Sequence, residues 1–256
     1  MSDLNKRLIT GVIGIILLSS IIYLGGYFFK IFISLLSLIA SYELYNALKK
    51  IKIKINLFVI FIGIVLLLID EFVVFPSYFT IITVLFLSLI ELIFGEKYSL
   101  SDVAYTVFIF IYAPYLLNQM TELSRTFIVL VFIISFSTDS FAYLVGSKFG
   151  KHKLIKNISP KKSIEGAIGG ILGCLILTLI YLYAIGVNVD IAVMIFIVFA
   201  SILGQLGDLF ASKIKRVTGI KDYSKILPGH GGIMDRFDSV IGIIPIVYSL
   251  YYFYII

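Results

Sequence analysis

Apolar runs of about twenty residues follow one another along almost the whole chain, and no other feature limits its fold as severely. A helix needs roughly 20 mostly apolar residues to cross a hydrocarbon core about 30 Å thick. Nine candidate spans can be read, at about 8–29, 31–48, 55–75, 78–95, 103–118, 127–146, 164–186, 191–211 and 239–256. The runs are continuous rather than alternating. That argues for helices and against an outer-membrane barrel, whose strands show weak period-two segments. Composition agrees: of 256 residues, 60 % are hydrophobic and 14 % charged, where a soluble domain has about 45–50 % and about 25 %. These figures speak against a soluble globular domain and rule out a disordered chain. One cysteine allows neither an internal disulfide nor a thiolate metal site. The expected fold class is all-α, a polytopic integral membrane protein of about nine transmembrane helices with its N-terminus in the cytoplasm.

The orientation follows from charge. With the N-terminus inside and nine alternating spans, only Lys30 and Arg125 of the 21 Lys and Arg fall on the outer side. Cytoplasmic loops enriched in Lys and Arg are the usual topology signal. The C-terminus is then outside, and the net charge of +6 sits on the face that meets anionic lipid and nucleotides. Lys49, Lys50, Lys52 and Lys54 need only this topological role. No cleavable leader is expected, because the run after Lys6 and Arg7 is long enough to span and ends without a small-residue cleavage site. The first two spans are the least separable, with only Gly25, Gly26 and Lys30 near their break.

Polar residues divide the chain. Residues 1–126 read as N-terminal transmembrane scaffold, in which Glu43 and Glu91 lie near span ends and could snorkel or cap. Residues 127–256 read as a catalytic transmembrane region with cytoplasmic loops 147–163 and 212–238. Asp139 lies inside the sixth span and Asp208 inside the eighth. A mid-membrane carboxylate costs roughly 2.5 to 3.5 kcal/mol on insertion scales, so such residues normally face a polar cavity or a partner. Ser212 and Lys215 follow Asp208 at i+4 and i+7, on the same helical face.

The loop beyond carries Arg216, Lys221 and Asp222, then Leu227-Pro228-Gly229-His230-Gly231-Gly232-Ile233-Met234-Asp235-Arg236-Phe237-Asp238. Asp235 and Asp238 share one face if the last helix begins there. Gly229, Gly231 and Gly232 permit positive φ and close approach of backbone to a ligand, as phosphate-cradling loops require. An ordinary juxtamembrane charged loop with a glycine turn is the bland alternative. In the loop before the seventh span, Ser163 is placed to cap the helix, with Glu165 in its first turn. Lys161 and Lys162 then sit near a helix N-terminus, where cations make more sense beside a bound anion. Lipid headgroups would also satisfy them.

Carboxylates without cysteine clusters suit Mg²⁺ or Mn²⁺ rather than zinc. Flanked by Lys and Arg, they describe metal-assisted phosphoryl or nucleotidyl transfer at the cytoplasmic membrane surface. No Walker A or kinase-type glycine-rich motif is present.

The stretch from Ser212 through Ile214-Lys215-Arg216, Lys221-Asp222, Ser224, Ile226-Leu227-Pro228 and His230-Gly231-Gly232-Ile233 to Asp235-Arg236-Phe237-Asp238 resembles the C-terminal motif of the phosphatidate cytidylyltransferases, the CDP-diacylglycerol synthases. Ser159-Pro160-Lys161-Lys162-Ser163-Ile164-Glu165-Gly166 and the Asp139 segment are similar to that family too, although Ser163 stands where Thr is as common. The motifs cover about 135–239; the N-terminal spans are similar only in hydropathy. The resemblance implies transfer of CMP from CTP to phosphatidic acid, giving CDP-diacylglycerol and pyrophosphate for phospholipid biosynthesis. It implies a homodimer in the cell membrane, an active site on the cytoplasmic side, and Mg²⁺ with a second cation such as K⁺. No nucleic-acid partner is expected.

Carried over, Asp208 and Asp235 would bind metal, with Asp238 and Asp222 supporting the metal or substrate shell. Lys215, Arg216, Lys221, Arg236, Lys161 and Lys162 would hold phosphates. His230 with Gly229, Gly231 and Gly232 would line the nucleotide pocket, and Ser163, Ser212 and Asp139 would complete the substrate site. Two other functions compete: a CTP-dependent polyprenol or phytol kinase, and an ion-coupled transporter using Asp139 and Asp208 as a relay. The transporter predicts an inverted repeat, and no matching half-segments are visible.

Overall fold

Each apolar run forms a helix in the computed structural model, which describes residues 3–70 and 77–254. The order is α1 (Asp3–Leu24), α2 (Gly26–Lys49), α3 (Leu57–Ile69), α4 (Ser77–Phe94), α5 (Leu100–Phe110), α6 (Leu116–Asn118), α7 (Arg125–Phe149), α8 (Ile164–Ala184), α9 (Ile191–Thr218) and α10 (Met234–Tyr254). Positions 71–75 of the third run and 255–256 of the last lie outside the described residues. Five helical stretches among the described residues are long and apolar enough to cross a membrane: Gly26–Lys49, Leu100–Glu122, Arg125–Phe149, Ile164–Ala184 and Ile191–Thr218. Leu8–Leu24, Leu57–Ile69 and Tyr78–Phe94 are shorter apolar helices. Apolar side chains such as Ile15, Leu17, Phe94, Ile176 and Tyr183 are more than half exposed, which suits a lipid solvent and would be costly in water.

The chain divides into two compact units. The first is Met1–Glu122 with Val217–Arg236. Its helix ends are tied by side chains. Asn56 caps α3 by accepting from the amides of Phe58 at 3.0 Å and Val59 at 3.2 Å, while its own amide group donates to Glu91. Ser99 and Asp102 form a reciprocal capping box at the start of α5, and Asp102 also accepts from the Lys54 amide at 2.7 Å. Lys30, one of the two basic residues off the cytoplasmic side of the charge pattern, is 7 % exposed and paired with Asp70. Burial of that cation is tolerable because the pair neutralises it. Pro114 has no N–H to give, and the helix answers with a π-helical stretch, Ile111–Tyr115, before a 3₁₀ turn, Gln119–Glu122.

The second unit is Leu123–Arg216 with Phe237–Ile256. It contains α7, α8, most of α9 and most of α10. A stripe of glycines on α8 lies against α7: a Cβ on Gly170 would meet the Thr138 carbonyl at 2.8 Å, and one on Gly166 the Ala142 carbonyl at 2.7 Å. In a bilayer the hydrophobic effect does not drive helices together, so small residues that allow close packing and shared polar contacts take over. Such contacts occur here: Thr138 to Ser201 at 2.9 Å, Ser135 to Ser239 at 2.9 Å, and the Gln205 amide to the Ala167 carbonyl at 3.2 Å.

Two features depart from the sequence-based expectation. The loop between α7 and α8 is not irregular: β1 (Lys153–Ile155) and β2 (Ser159–Ser163) pair antiparallel. Helix α9 also runs on to Thr218, so Ser212, Lys215 and Arg216 are helical and the polar stripe is a continuation of the span.

Candidate active site

In the second unit, the acidic site begins with an absent side chain. A Cβ on Gly207 would sit 2.3 Å from the carbonyl oxygen of Asp238, and one on Gly242 would sit 2.3 Å from the Leu203 carbonyl. The α9 and α10 backbones therefore touch where Asp208 follows Gly207. Asp238, 7 % exposed, is in Coulombic reach of Asp208, Asp139 and Lys215. Three carboxylates from three helices thus share one neighbourhood. Asp238 also accepts from the Ser239 amide at 2.8 Å, and Ser212 donates to Asp208 at 3.4 Å.

Basic residues of the same unit meet this group. Lys162, on β2, forms an ion pair with Asp208. Lys161 is exposed on the same strand. The Arg216 Nε donates to the Ile158 carbonyl of the hairpin turn at 3.2 Å. The hairpin is anchored by Glu165, which accepts from the backbone amides of Lys151 at 3.1 Å and His152 at 3.2 Å and contacts the His152 ring at 2.6 Å. Ser163 caps α8 as its position predicts, accepting from the Gly166 amide at 3.1 Å, so its hydroxyl is committed to the helix end.

The first unit holds the glycine-rich loop. Gly229 and Gly231 adopt positive φ, 78° and 86°, and Leu227 bridges Gly231 across the turn. Asp235, in the first turn of α10, accepts from the amides of Tyr223 at 2.8 Å and Gly232 at 3.0 Å. The Arg236 Nε donates to the His230 carbonyl at 2.8 Å. Lys221 and Asp222 are exposed in the preceding segment.

Two residues outside the motifs also hold this loop. Thr10 of α1 donates to the Pro228 carbonyl at 2.9 Å, and its hydroxyl lies 3.1 Å from the His230 Nδ1. Glu43 of α2, 1 % exposed, accepts from Ser224 Oγ at 2.5 Å and from the amides of Ile233 at 3.0 Å and Met234 at 2.8 Å. The signal for Glu43 was its cost: a carboxylate inside an apolar run must have partners, though the sequence does not say which.

Among the described residues, no group of three or more His, Cys, Asp or Glu is arranged to hold a metal ion by itself. Mg²⁺ asks for less, usually one or two protein carboxylates with substrate phosphates. Asp238, buried near Asp208 and Asp139, brings together carboxyl groups whose shared ionisation a cation would favour. The donor set therefore fits a hard divalent cation.

A sequence model described as the cytidylyltransferase family matches residues 5–254. The chain is similar to a phosphatidate cytidylyltransferase of Bacillus subtilis (strain 168), with 32 % identity over 98 % of each chain. It is also similar to a phosphatidate cytidylyltransferase of Staphylococcus aureus (strain COL), at 34 % identity over 95 % of this chain and 97 % of the other. One from Staphylococcus haemolyticus (strain JCSC1435) shows the same 34 % over the same shares. With a match over nearly its full length and relatives above 30 % identity, the chain belongs to the cytidylyltransferase family.

Proposed function

We propose that this chain is a phosphatidate cytidylyltransferase, transferring CMP from CTP to phosphatidic acid and yielding CDP-diacylglycerol and pyrophosphate. The observation that carries this reading is identity of 32–34 % over 95–98 % of the chain to relatives bearing that name. The coverage includes both the acidic cluster and the glycine-rich loop. A phosphate oxygen of phosphatidic acid attacks the α-phosphorus of CTP. A new P–O bond forms, the bond between the α-phosphorus and its bridging oxygen breaks, and pyrophosphate leaves. The attacking group is already an anion, so no general base is required.

Each residue has a role in this scheme. Lys161, Lys162, Lys215, Arg216, Lys221 and Arg236 bind and orient the phosphates of the two substrates. His230 with Gly229, Gly231 and Gly232 lines the nucleotide site. Asp139 and Ser212 belong to the substrate site, and Ser163 serves that site through its cap on α8. Asp208, Asp238 and Asp235 would hold Mg²⁺, with Mn²⁺ as a substitute and K⁺ as a second cation, and Asp222 supports that shell. Bound there, Mg²⁺ supplies charge neutralisation on the α-phosphate and the leaving pyrophosphate. Lys162 and Asp208 are already paired, so arriving phosphate competes with a carboxylate for that ammonium.

The finer topology belongs to the same proposal: nine spans, N-terminus inside, a cytoplasmic active site in the cell membrane, and a homodimer. In that topology Asp208 lies near the cytoplasmic end of the eighth span, at headgroup depth, where a diacyl lipid presents its phosphate without leaving the bilayer. The test is incubation of purified protein in detergent with labelled CTP, phosphatidic acid and Mg²⁺. The expected products are a CDP-lipid and pyrophosphate. Release of CDP with a newly phosphorylated lipid would identify a lipid kinase instead.

A further inference from the structure

We infer that Glu43 is a positioning residue of the nucleotide site, holding the glycine-rich loop and the start of α10 from helix α2; the inference rests on the cytidylyltransferase reading above. The two oxygens of Glu43 take three donors from two separate stretches of the loop. Oε1 accepts from Ser224 Oγ at 2.5 Å and the Ile233 amide at 3.0 Å, and Oε2 accepts from the Met234 amide at 2.8 Å. Amides at the beginning of a helix have no partner within it, and α10 begins at Met234. A carboxylate there satisfies orphan donors and meets the positive end of the helix dipole. Asp235 makes a second cross-tie, joining the Tyr223 and Gly232 amides. The turn bearing His230 is thus pinned on both sides.

Gly232 supplies an independent sign that this contact shapes the loop. A Cβ there would fall 2.4 Å from the Glu43 Oε1. Any other residue would force either the loop or the Glu43 carboxylate to move, breaking up their contact. Gly232 does not share the positive φ of Gly229 and Gly231, so its need for glycine is proximity to Glu43 rather than backbone strain. Glu43 touches neither substrate; it acts through Ser224, Ile233 and Met234.

The experiment uses the full-length protein in detergent, with rates measured against CTP and phosphatidic acid separately. Glu43→Gln keeps the shape of the side chain but sets an NH₂ group against backbone donors. Its kcat/KM for CTP is expected to fall by about tenfold or more, with the KM for phosphatidic acid unchanged and the unfolding temperature close to wild type. Gly232→Ala should lose the same parameter. Adding Ser224→Ala to Glu43→Gln should cost little more, because both act through one contact. Wild-type CTP kinetics in Glu43→Gln, or losses toward both substrates that merely follow a falling unfolding temperature, would overturn the role. If Glu43→Gln fails to fold, Ser224→Ala decides: an unchanged kcat/KM for CTP overturns it, and a selective loss supports it. A wild type that produces neither CDP-lipid nor pyrophosphate overturns the activity itself. A working wild type beside an unaffected Glu43→Gln overturns the positioning alone.

Discussion

Asp208 is the residue to which the proposed chemistry gives the metal, and its partners make a carboxylate tolerable inside a hydrophobic helix. It has an ammonium partner in Lys162 and a hydroxyl donor in Ser212. Asp238, in Coulombic reach, places a second carboxyl group beside it. Asp208→Asn keeps the shape and removes the charge. Activity at saturating Mg²⁺ is expected to fall by about a hundredfold or more, read as pyrophosphate release. Full activity in that variant would remove Asp208 from the metal site. Glu43 illustrates another use of a buried carboxylate: its two oxygens take three protein donors and so hold backbone.

At the scale of elements, the site depends on where helices touch. The α9–α10 contact at Gly207 leaves no room for a side chain, since the Asp238 carbonyl lies 2.3 Å from where a Cβ would go. Gly207→Val should therefore force the two helices apart and shift Asp208 away from Asp238. A destabilisation of about 1–3 kcal/mol is expected from overpacking, together with a loss of turnover larger than that of a comparable change facing lipid, such as Ile176→Phe. Equal turnover in the two variants would contradict the role of this crossing.

The helices themselves were legible in the sequence, because continuous apolar runs leave few other options, and so was the Ser163 cap, because a hydroxyl before an apolar run has a local reason to be there. The β1–β2 hairpin was not legible. Its strands, Lys153–Ile155 and Ser159–Ser163, are short and rich in lysine, and what steadies the segment is Glu165 gripping the Lys151 and His152 amides, a contact no periodicity encodes. The continuation of α9 to Thr218 was half legible, as the i, i+4, i+7 spacing of Asp208, Ser212 and Lys215.

Across the whole molecule, the distribution of basic residues makes a claim that can be tested without assaying turnover. Cys174 is the chain's single cysteine and is buried, so Cys174→Ser gives a background for site-directed labelling. In intact cells, an impermeant thiol reagent should react with Asn188→Cys, between α8 and α9, and spare Lys156→Cys, between β1 and β2. The opposite pattern would invert the topology. The spacings of Asp208, Ser212 and Lys215 and of Asp235 and Asp238 were readable because they lie on helices. The supports from Thr10 and Glu43 were not, since sequence separations of 218 and 181 residues hide them.

The segment Val217–Arg236 packs with the helices before Glu122, whereas the chain on either side of it belongs to the second unit. No single cut can therefore divide this protein into two independent halves. A fragment starting at residue 127 would retain every recognisable motif, yet its Pro228–Gly232 turn would have lost the floor on which it rests.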